Sequence, residues 1–222
     1  MNNTLALFDL DHTLIPTDSD LCWTEFLIEK GIVKKENTRV NENFFTQYND
    51  GCLDINEFLS FQLKPLSVLP RSELNTLRDE FIKKYISPLI YPKSIEIVNR
   101  HLNRGDICAI VTATNEFITE PISKLFNIPT LIATRLETSP SGDFTGRASG
   151  IPSFREGKVT RVLQWLATKN LGVDSFENSF FYSDSINDLP LLSRVTDPVA
   201  MNPDKKLYAH AISLGWKIEE IF

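Results

Sequence analysis

Two carboxylates near the start of the chain are the residues best suited to chemistry. Asp9 directly follows the apolar run at residues 5–8, and Asp11 lies two residues further on. An apolar run of this kind predicts a buried strand, so both acids would lie where that strand ends. Carboxylates in such a place are costly unless a cation or a reaction uses them. The pair therefore predicts a cation site, an active site, or both.

Four further residues supply what such a pair needs. Thr112 and Asp184 each follow an apolar run, Lys158 lies between them in the sequence, and Asp188 follows Asp184 closely. Carboxylates gathered at this density would repel one another unless a divalent cation relieved the repulsion. Oxygen ligands without His or Cys favour Mg²⁺ over zinc. Because Mg²⁺ and an ammonium group are also what a phosphate dianion needs, the set predicts phosphoryl chemistry.

The elements that must position these residues alternate between strand and helix after about residue 94. The patterns predict helices at 94–103, 116–126, 157–169 and 188–193, strands at 106–111, 130–134, 179–182 and 198–200, and a hairpin turning at 139–143. Alternation of this kind predicts an α/β fold with a doubly wound, parallel, Rossmann-like sheet. Ligands bind outside the carboxyl ends of such strands, where Asp9, Thr112 and Asp184 would meet.

The segment at residues 17–90 has a different pattern and is called the helical segment below. Amphipathic stretches predict helices at 20–30, 35–49, 55–62 and 71–85, and no strand interrupts them. The chain is therefore expected to have an α/β core, residues 1–16 and 91–222, with an inserted all-helical domain at 17–90. An insert in this place would cover the substrate as a cap.

Bulk properties exclude several classes of function. The 222 residues carry a net charge of -6 without any Lys/Arg run, which argues against a nucleic-acid partner. No apolar stretch approaches the roughly 20 residues of a membrane span, and the first four residues lack the basic start of a signal peptide. Cys22, Cys52 and Cys108 are odd in number and widely spaced, which favours reduced thiols in a cytoplasmic protein.

Four motifs occur in an order that resembles the haloacid dehalogenase superfamily, most of whose members hydrolyse phosphate esters. These motifs are Asp9-x-Asp11-x-Thr13, Thr112, Lys158 and Asp184-x-x-x-Asp188. The resemblance spans nearly the whole chain. It is closest to the phosphoserine-phosphatase-like subfamily IB, and within that to its histidinol-phosphatase-like members. That closer resemblance is carried by residues 8–14, 18–20, 112–115 and 182–185.

The resemblance implies a two-step reaction. Asp9 would attack phosphorus and form an aspartyl phosphate. Asp11 would give a proton to the departing alcohol and then take one from the attacking water. The carboxylates of Asp9 and Asp184 and the backbone carbonyl of Asp11 would hold Mg²⁺. Asp188 would hold a metal-bound water or orient Lys158.

Substrate contacts are also implied by the resemblance. Thr112, Lys158 and the backbone of Ala113 would bind phosphate oxygens. Asp18 lies where phosphoserine phosphatases carry a substrate-reading Glu, and it would pair with a substrate ammonium group. Asp18 is equally placed to cap the helix predicted to begin near residue 20, and His12 is either a substrate contact or structural.

The sequence therefore predicts a Mg²⁺-dependent phosphomonoesterase acting on a small phosphorylated metabolite with an amino group. Histidinol phosphate is the first candidate and phosphoserine the second, because no Arg of the helical segment clearly matches the family's carboxylate-binding Arg. Arg39 and Arg71 are only candidates for that role. A dehalogenase is disfavoured by Asp11, which such enzymes do not use as an acid. A non-catalytic regulator is disfavoured because no motif residue is missing.

Overall fold

Seven strands form one sheet in the computed structural model, which describes residues 4–222 apart from the side chain of Asn49. The order across the sheet is β4-β3-β2-β1-β5-β6-β7. The strands are β1 Thr4–Phe8, β2 Ile107–Asn115, β3 Thr130–Thr138, β4 Phe144–Ser149, β5 Asn178–Ser183, β6 Asp197–Met201 and β7 Lys217–Glu219. The antiparallel pairing of β4 with β3 forms the predicted hairpin, and the other pairings are parallel. The α/β fold class predicted from the sequence is confirmed. The prediction that no signal peptide is present was made from the first four residues, and the first three of these lie outside the described part.

The central strand β1 owes its place to its composition. Its residues 5–8 are apolar on both faces and fully buried, as is typical of a parallel strand covered by helices on each side. Phe8 pairs with Ile110 of β2 and with Tyr182 of β5. The carboxyl ends of these three neighbouring strands therefore lie at one edge of the sheet, directly before Asp9 and Asp184.

Nine α-helices pack around this sheet in the described residues. They are α1 Ser19–Glu29, α2 Asn37–Asp50, α3 Ile55–Gln62, α4 Arg71–Phe81, α5 Pro92–Arg104, α6 Glu116–Leu125, α7 Glu156–Ala167, α8 Leu189–Leu192 and α9 Lys205–Leu214. Helices α1 to α4 belong to the helical segment, and no strand is found there among the described residues. None of the described helices has both the length and the apolar character that crossing a membrane requires.

Several boundaries differ from the sequence predictions. Strand β2 continues past Thr112 to Asn115, with an irregular register that begins after Val111. Helix α4 ends at Phe81 and continues as a π-helical turn, Ile82–Ile86. The predicted helix at 188–193 is instead a 3₁₀ turn, Ile186–Asp188, followed by the short α8.

Two elements at the end of the chain were not predicted. The strand at 198–200 is the last element that the sequence predicts, but α9 and β7 follow it in the structure. Both elements are short and weakly patterned. Strand β7 is positioned by pairing with β6. Helix α9 is capped by the Asp204 carboxylate, which accepts from the backbone N–H groups of Lys206 and Leu207.

A buried polar network links α5 to the sheet beneath the site. His101 Nδ1 lies 2.8 Å from Asp106 Oδ2, and His101 Nε2 lies 2.9 Å from the hydroxyl of Tyr182. The imidazole is 4% exposed and packs against the rings of Phe8 and Phe180. Burial lowers the pKa of His101 below its ordinary value, although Asp106 opposes this shift.

This network predicts a loss of stability in acid. Because the pKa of His101 is lower in the folded than in the unfolded chain, the unfolded chain binds the additional proton. The free energy of unfolding should fall as the pH drops through about 6.5, with a slope from this group of at most about 1.4 kcal/mol per pH unit. His101→Gln, which cannot titrate, should show a smaller slope in urea unfolding between about pH 5 and 8. His210→Gln is the matched control, and identical slopes for His101→Gln and wild type would contradict the assignment.

Candidate active site

Asp9 and Lys158 form the centre of the site at the carboxyl edge of the sheet. Asp9 directly follows β1, and its backbone N–H still bonds to the carbonyl of Tyr182 at 2.9 Å. Lys158 Nζ donates to Asp9 Oδ1 at 2.9 Å and to Asp188 Oδ2 at 2.7 Å. All three side chains are buried, at 6%, 3% and 2% exposure. The ammonium group is therefore held between two carboxylates rather than by solvent.

The position of Lys158 depends on the turn that begins α7. A Cβ atom at Gly157 would overlap with the carbonyl oxygen of Pro152, so only glycine fits there. Ser153 anchors the same turn to β3, since its hydroxyl donates to the carbonyl of Ile132 at 3.1 Å. These contacts place the first turn of α7 over the carboxyl end of β1.

Asp184 approaches the same point from β5. Thr13 Oγ1 donates to Asp184 Oδ1 at 3.0 Å and accepts from the Asp184 backbone N–H at 3.0 Å. Thr13 is fully buried, so its hydroxyl is satisfied only by this exchange with the Asp184 loop. The third residue of the Asp-x-Asp-x-Thr motif thus fixes the orientation of Asp184.

The charges at this point are poorly balanced. Burial, together with Asp188 and Asp11, raises the pKa of Asp9 to about 7 against the opposing effect of Lys158. Burial and the charge of Asp9 raise the pKa of Asp184 well above its ordinary value. Although burial lowers the pKa of Lys158, Asp188 and Asp9 raise it above its ordinary value. The protein alone therefore leaves carboxylates at this edge that a bound cation would stabilise.

The donor set fits a hard divalent cation. Asp9 and Asp184 offer carboxylate oxygens, and the Asp11 backbone offers a carbonyl, which are ligands that Mg²⁺ accepts. Among residues 4–222, no three His, Cys, Asp or Glu side chains are grouped so that they could hold a metal. A cation here would therefore depend on the two carboxylates, the backbone carbonyl, and water or substrate oxygens.

Asp11 is held by two donors on different elements. The backbone N–H of Ser19 donates to Asp11 Oδ1 at 2.8 Å, and the hydroxyl of Thr114 donates to Asp11 Oδ2 at 2.7 Å. Thr114 belongs to the part of β2 that the sequence prediction omitted. Because this part stays extended, the Thr114 hydroxyl reaches Asp11 across the sheet edge.

The remaining predicted residues lie around this centre. The hydroxyl of Thr112 is buried and accepts from the backbone N–H of Thr114 at 3.2 Å. Asp188 Oδ2 accepts from Ser183 Oγ at 2.7 Å as well as from Lys158, so the Asp188 carboxylate orients the ammonium group. No side-chain capping bond is made by Asp188 at α8.

One cavity joins all of the predicted site residues to the helical segment. On its polar side it is lined by Asp9, Asp11, Thr112, Ala113, Thr114, Lys158, Asp184 and Asp188. A second group of lining residues is mainly apolar, namely Leu21, Phe44, Phe45, Tyr48, Leu53, Ile55, Phe58 and Phe154. A third group is polar and comes from the first loop and the helices, namely His12, Asp18, Asp20, Asn41 and Gln62. The cavity therefore suits a ligand with an anionic end and a partly apolar body.

Asp18 lines the cavity and also caps α1. Its carboxylate accepts from the backbone N–H of Leu21 at 2.8 Å, and burial followed by the charge of Asp11 raises the pKa of Asp18 to about 6. Both interpretations of Asp18 thus agree with its position. His12 has a positive φ of 55°, and its buried Nε2 has no hydrogen-bond partner within the described part of the chain.

No arginine among the described residues lines the site cavity. The guanidinium of Arg155 bonds to Asn187 Oδ1 and to the carbonyl of Gly51. Arg161 donates to the carbonyl of Ile151 at 3.3 Å. Arg71 instead stacks over the ring of Phe144, 3.8 Å from its centroid, and lines a separate cavity. Neither Arg71 nor Arg39 lines the site cavity, so neither occupies the carboxylate-binding role for which they were candidates.

Sequence reasoning missed several residues of the site. Tyr48 of α2 reaches the core, where its hydroxyl lies 2.9 Å from Ser185 Oγ, and burial and Asp184 raise its pKa well above the ordinary value. Asn115 Nδ2 donates to Asp20 Oδ1 at 2.9 Å and so ties α1 to β2. Tyr48 gives no sequence signal of this role, whereas the Asn115 contact follows from its place at the end of β2.

Comparisons with known proteins show which family this chain belongs to. The family model for haloacid dehalogenase-like hydrolases matches residues 6–193. The histidinol-phosphatase of Neisseria meningitidis serogroup C (strain 8013) is 46% identical over 215 residues, covering 96% of this chain and 97% of that protein. A solved protein of unknown function from Bordetella pertussis Tohama I matches with a TM-score of 0.94 and 44% identity over 100% of both chains. A substrate-bound phosphoserine phosphatase shares the fold, with a TM-score of 0.69 and 17% identity over 100% of this chain and 94% of the other.

Proposed function

Because this chain belongs to the haloacid dehalogenase-like hydrolase family and is a phosphatase of that family, we propose that it hydrolyses a small amino-bearing phosphate monoester with Mg²⁺. Histidinol phosphate is the proposed substrate, in keeping with the name of the 46% identical Neisseria protein. The observation that carries the proposal is the buried contact of Lys158 with Asp9 at the end of β1. That contact presents a carboxylate beside a fixed positive charge at the head of a cavity.

In the proposed reaction Asp9 is the nucleophile. Its carboxylate oxygen attacks phosphorus, the bond from phosphorus to the alcohol oxygen breaks, and an aspartyl phosphate forms. Lys158 offsets the charge of the phosphate oxygens, and Asp188 keeps the ammonium group in place. Thr112 and the backbone of Ala113 line the same end of the cavity and would bind the remaining phosphate oxygens.

Asp11 is the proposed acid and base. In the first step it protonates the departing alcohol oxygen, and in the second it accepts a proton from the water that hydrolyses the aspartyl phosphate. The Thr114 hydroxyl can both donate and accept, so its bond to Asp11 persists whether or not the carboxyl group carries the proton. The Ser19 N–H holds the other oxygen and prevents rotation.

Asp9, Asp184 and the carbonyl of Asp11 would hold Mg²⁺. When bound, the ion would offset negative charge at phosphorus and keep Asp9 ionised. The raised pKa values of Asp9 and Asp184 support this assignment, because both carboxylates are otherwise underneutralised.

The substrate assignment rests on the far end of the cavity. Asp18 and Asp20 offer carboxyl oxygens to an ammonium group, and the apolar lining residues suit a ring-bearing body. Phosphoserine is the second candidate, but its carboxylate needs a positive partner. Among the described lining residues the only Lys or Arg is Lys158, which is already bound to Asp9 and Asp188.

We also propose a cytoplasmic enzyme with a core of residues 1–16 and 91–222 and a cap of residues 17–90.

Phosphate release from purified full-length protein tests the function and the metal together. Histidinol phosphate should be hydrolysed with Mg²⁺, and chelation by EDTA should abolish the activity until Mg²⁺ is restored. Ca²⁺ should not replace Mg²⁺, because it takes more ligands at longer distances and would misplace Asp9. The kcat/KM for histidinol phosphate should exceed that for phosphoserine by at least about tenfold, since a buried unpaired carboxylate is rejected.

p-Nitrophenyl phosphate serves as the control for generic phosphatase activity in the same assays. Full activity in EDTA, or recovery with Zn²⁺ alone, would contradict the metal assignment. A preference for phosphoserine would overturn the substrate assignment and leave the phosphatase mechanism standing.

A further inference from the structure

Gln62, the last residue of α3, has a buried oxygen with no partner. The side chain is 5% exposed, yet Gln62 Oε1 makes no hydrogen bond within the described part of the chain. Gln62 also lines the site cavity, on the side of Asp18 and Asp20. A buried acceptor without a donor is costly, so such an atom on a residue that lines the cavity points to a donor on the ligand.

The orientation of the Gln62 amide is fixed by its other contacts. Gln62 Nε2 donates to the carbonyl of Asp20 at 2.9 Å and to Thr24 Oγ1 at 2.9 Å. A carbonyl can only accept, so the amide nitrogen and not the oxygen must face Asp20. The free atom of Gln62 is therefore an acceptor, and the ligand group that satisfies it must carry an N–H or an O–H.

Acidic groups surround the same part of the cavity. Asp11, Asp18 and Asp20 all line it, and Asp20 is 4% exposed, with Asn115 Nδ2 donating to its Oδ1. Among residues 4–222, Lys158 is the only Lys or Arg that lines the cavity. It lies beside Asp9, where the phosphate group would bind. The donor that suits this region is thus cationic, because Asp11, Asp18 and Asp20 would repel a carboxylate.

We propose that Gln62 is a specificity-determining residue, whose Oε1 accepts a hydrogen bond from the ammonium group of the substrate alcohol beside Asp18 and Asp20. This inference rests on the proposed function and extends it. The substrate class becomes phosphate esters of amino alcohols that lack a carboxylate. Gln62 selects them in two ways, by satisfying one N–H of the ammonium group and by offering no donor to a carboxylate.

Matched substrate pairs test Gln62 in the Mg²⁺-loaded full-length enzyme. The first pair is histidinol phosphate and its analogue without the amino group, 3-(imidazol-4-yl)propyl phosphate. The second pair, ethanolamine phosphate and ethyl phosphate, tests the amine without an imidazole. Gln62→Met has a similar shape but no acceptor. It should reduce the kcat/KM preference for the amine-bearing member of each pair roughly ten- to hundredfold, as expected for the loss of one hydrogen bond to a charged group. The change should be mainly in KM.

Thr24→Val is the structural control, because it removes one partner of Gln62 Nε2 and keeps the Gln62 side chain itself unchanged. It should lower the melting temperature without changing the preference for amines. Equal losses by Gln62→Met on both members of each pair, or an equal change of preference in Thr24→Val, would overturn the inference in favour of a purely structural Gln62. Wild-type enzyme that hydrolyses ethanolamine phosphate no better than ethyl phosphate would overturn it as well. Preference within the second pair without turnover of histidinol phosphate would instead support Gln62 and remove only the proposed substrate.

Discussion

Asp9→Asn should lower kcat by about 10⁴-fold or more, since the variant has no carboxylate to form the aspartyl phosphate. The fold should survive, because an amide oxygen can still accept from Lys158, and Asp188 still holds the ammonium group. A neutral side chain is also easier to bury than the Asp9 carboxylate, whose pKa burial raises to about 7. The measurement is steady-state phosphate release, with thermal unfolding in parallel.

Asp174→Asn is the matched control for this variant. Asp174 is exposed and lies before β5, at the sheet end opposite to the site, so the same chemical change there should leave kcat unaltered. An Asp9→Asn enzyme with more than roughly a tenth of wild-type kcat would exclude Asp9 as nucleophile. Loss of the cooperative unfolding transition would instead assign Asp9 a structural role.

Asp11→Asn should slow the formation of the aspartyl phosphate to different extents with two kinds of substrate. An alkyl phosphate needs a proton on its leaving oxygen, so formation of the aspartyl phosphate should slow by about 10²- to 10⁴-fold. p-Nitrophenolate leaves without a proton, so the same step should be nearly normal with p-nitrophenyl phosphate. The geometry should be preserved, because the Asn amide can accept from Ser19 N–H and donate to Thr114 Oγ1.

Rapid mixing separates the two steps of this variant. Because hydrolysis of the aspartyl phosphate also uses Asp11, the variant should release a burst of p-nitrophenolate and then turn over slowly. The burst should match the enzyme concentration. Absence of a burst together with equal slowing of the first step on both substrates would rule out Asp11 as the acid.

The meeting of the candidate site residues was predictable because most of them lie at the carboxyl end of a buried strand or near the start of a helix in a recognisable motif. Asp9, Asp184 and Lys158 come from distant parts of the chain, but the parallel order of β1, β2 and β5 requires the strand ends to meet. Topology alone therefore brings Asp9 and Asp184 together, whereas Lys158 also depends on the turn at Gly157 that begins α7. The extension of β2 to Asn115 was missed because most of its residues are polar, although Asn115 pairs with Thr134 of β3.

The far end of the cavity was not predictable in the same way. Gln62, Asn41 and Tyr48 lie on amphipathic helices, where single polar residues usually face solvent. Their burial depends on how α2 and α3 pack over the sheet, which no local pattern encodes. Buried atoms without partners, such as Asn41 Nδ2 and Gln62 Oε1, become visible only in three dimensions.

The end of α2 is tied directly to the loop that carries the two motif carboxylates Asp184 and Asp188. Tyr48 bonds to Ser185 through its hydroxyl and to Asn187 through its carbonyl, and Arg155 bridges the carbonyl of Gly51 to the same Asn187. Arg155 holds a φ of 48°, a strained conformation that these bonds maintain. Helix α2 thus cannot swing outward without loosening that loop. An outward movement of α2 during turnover would therefore break the contacts of this loop each time, and solvent viscosity would then influence kcat.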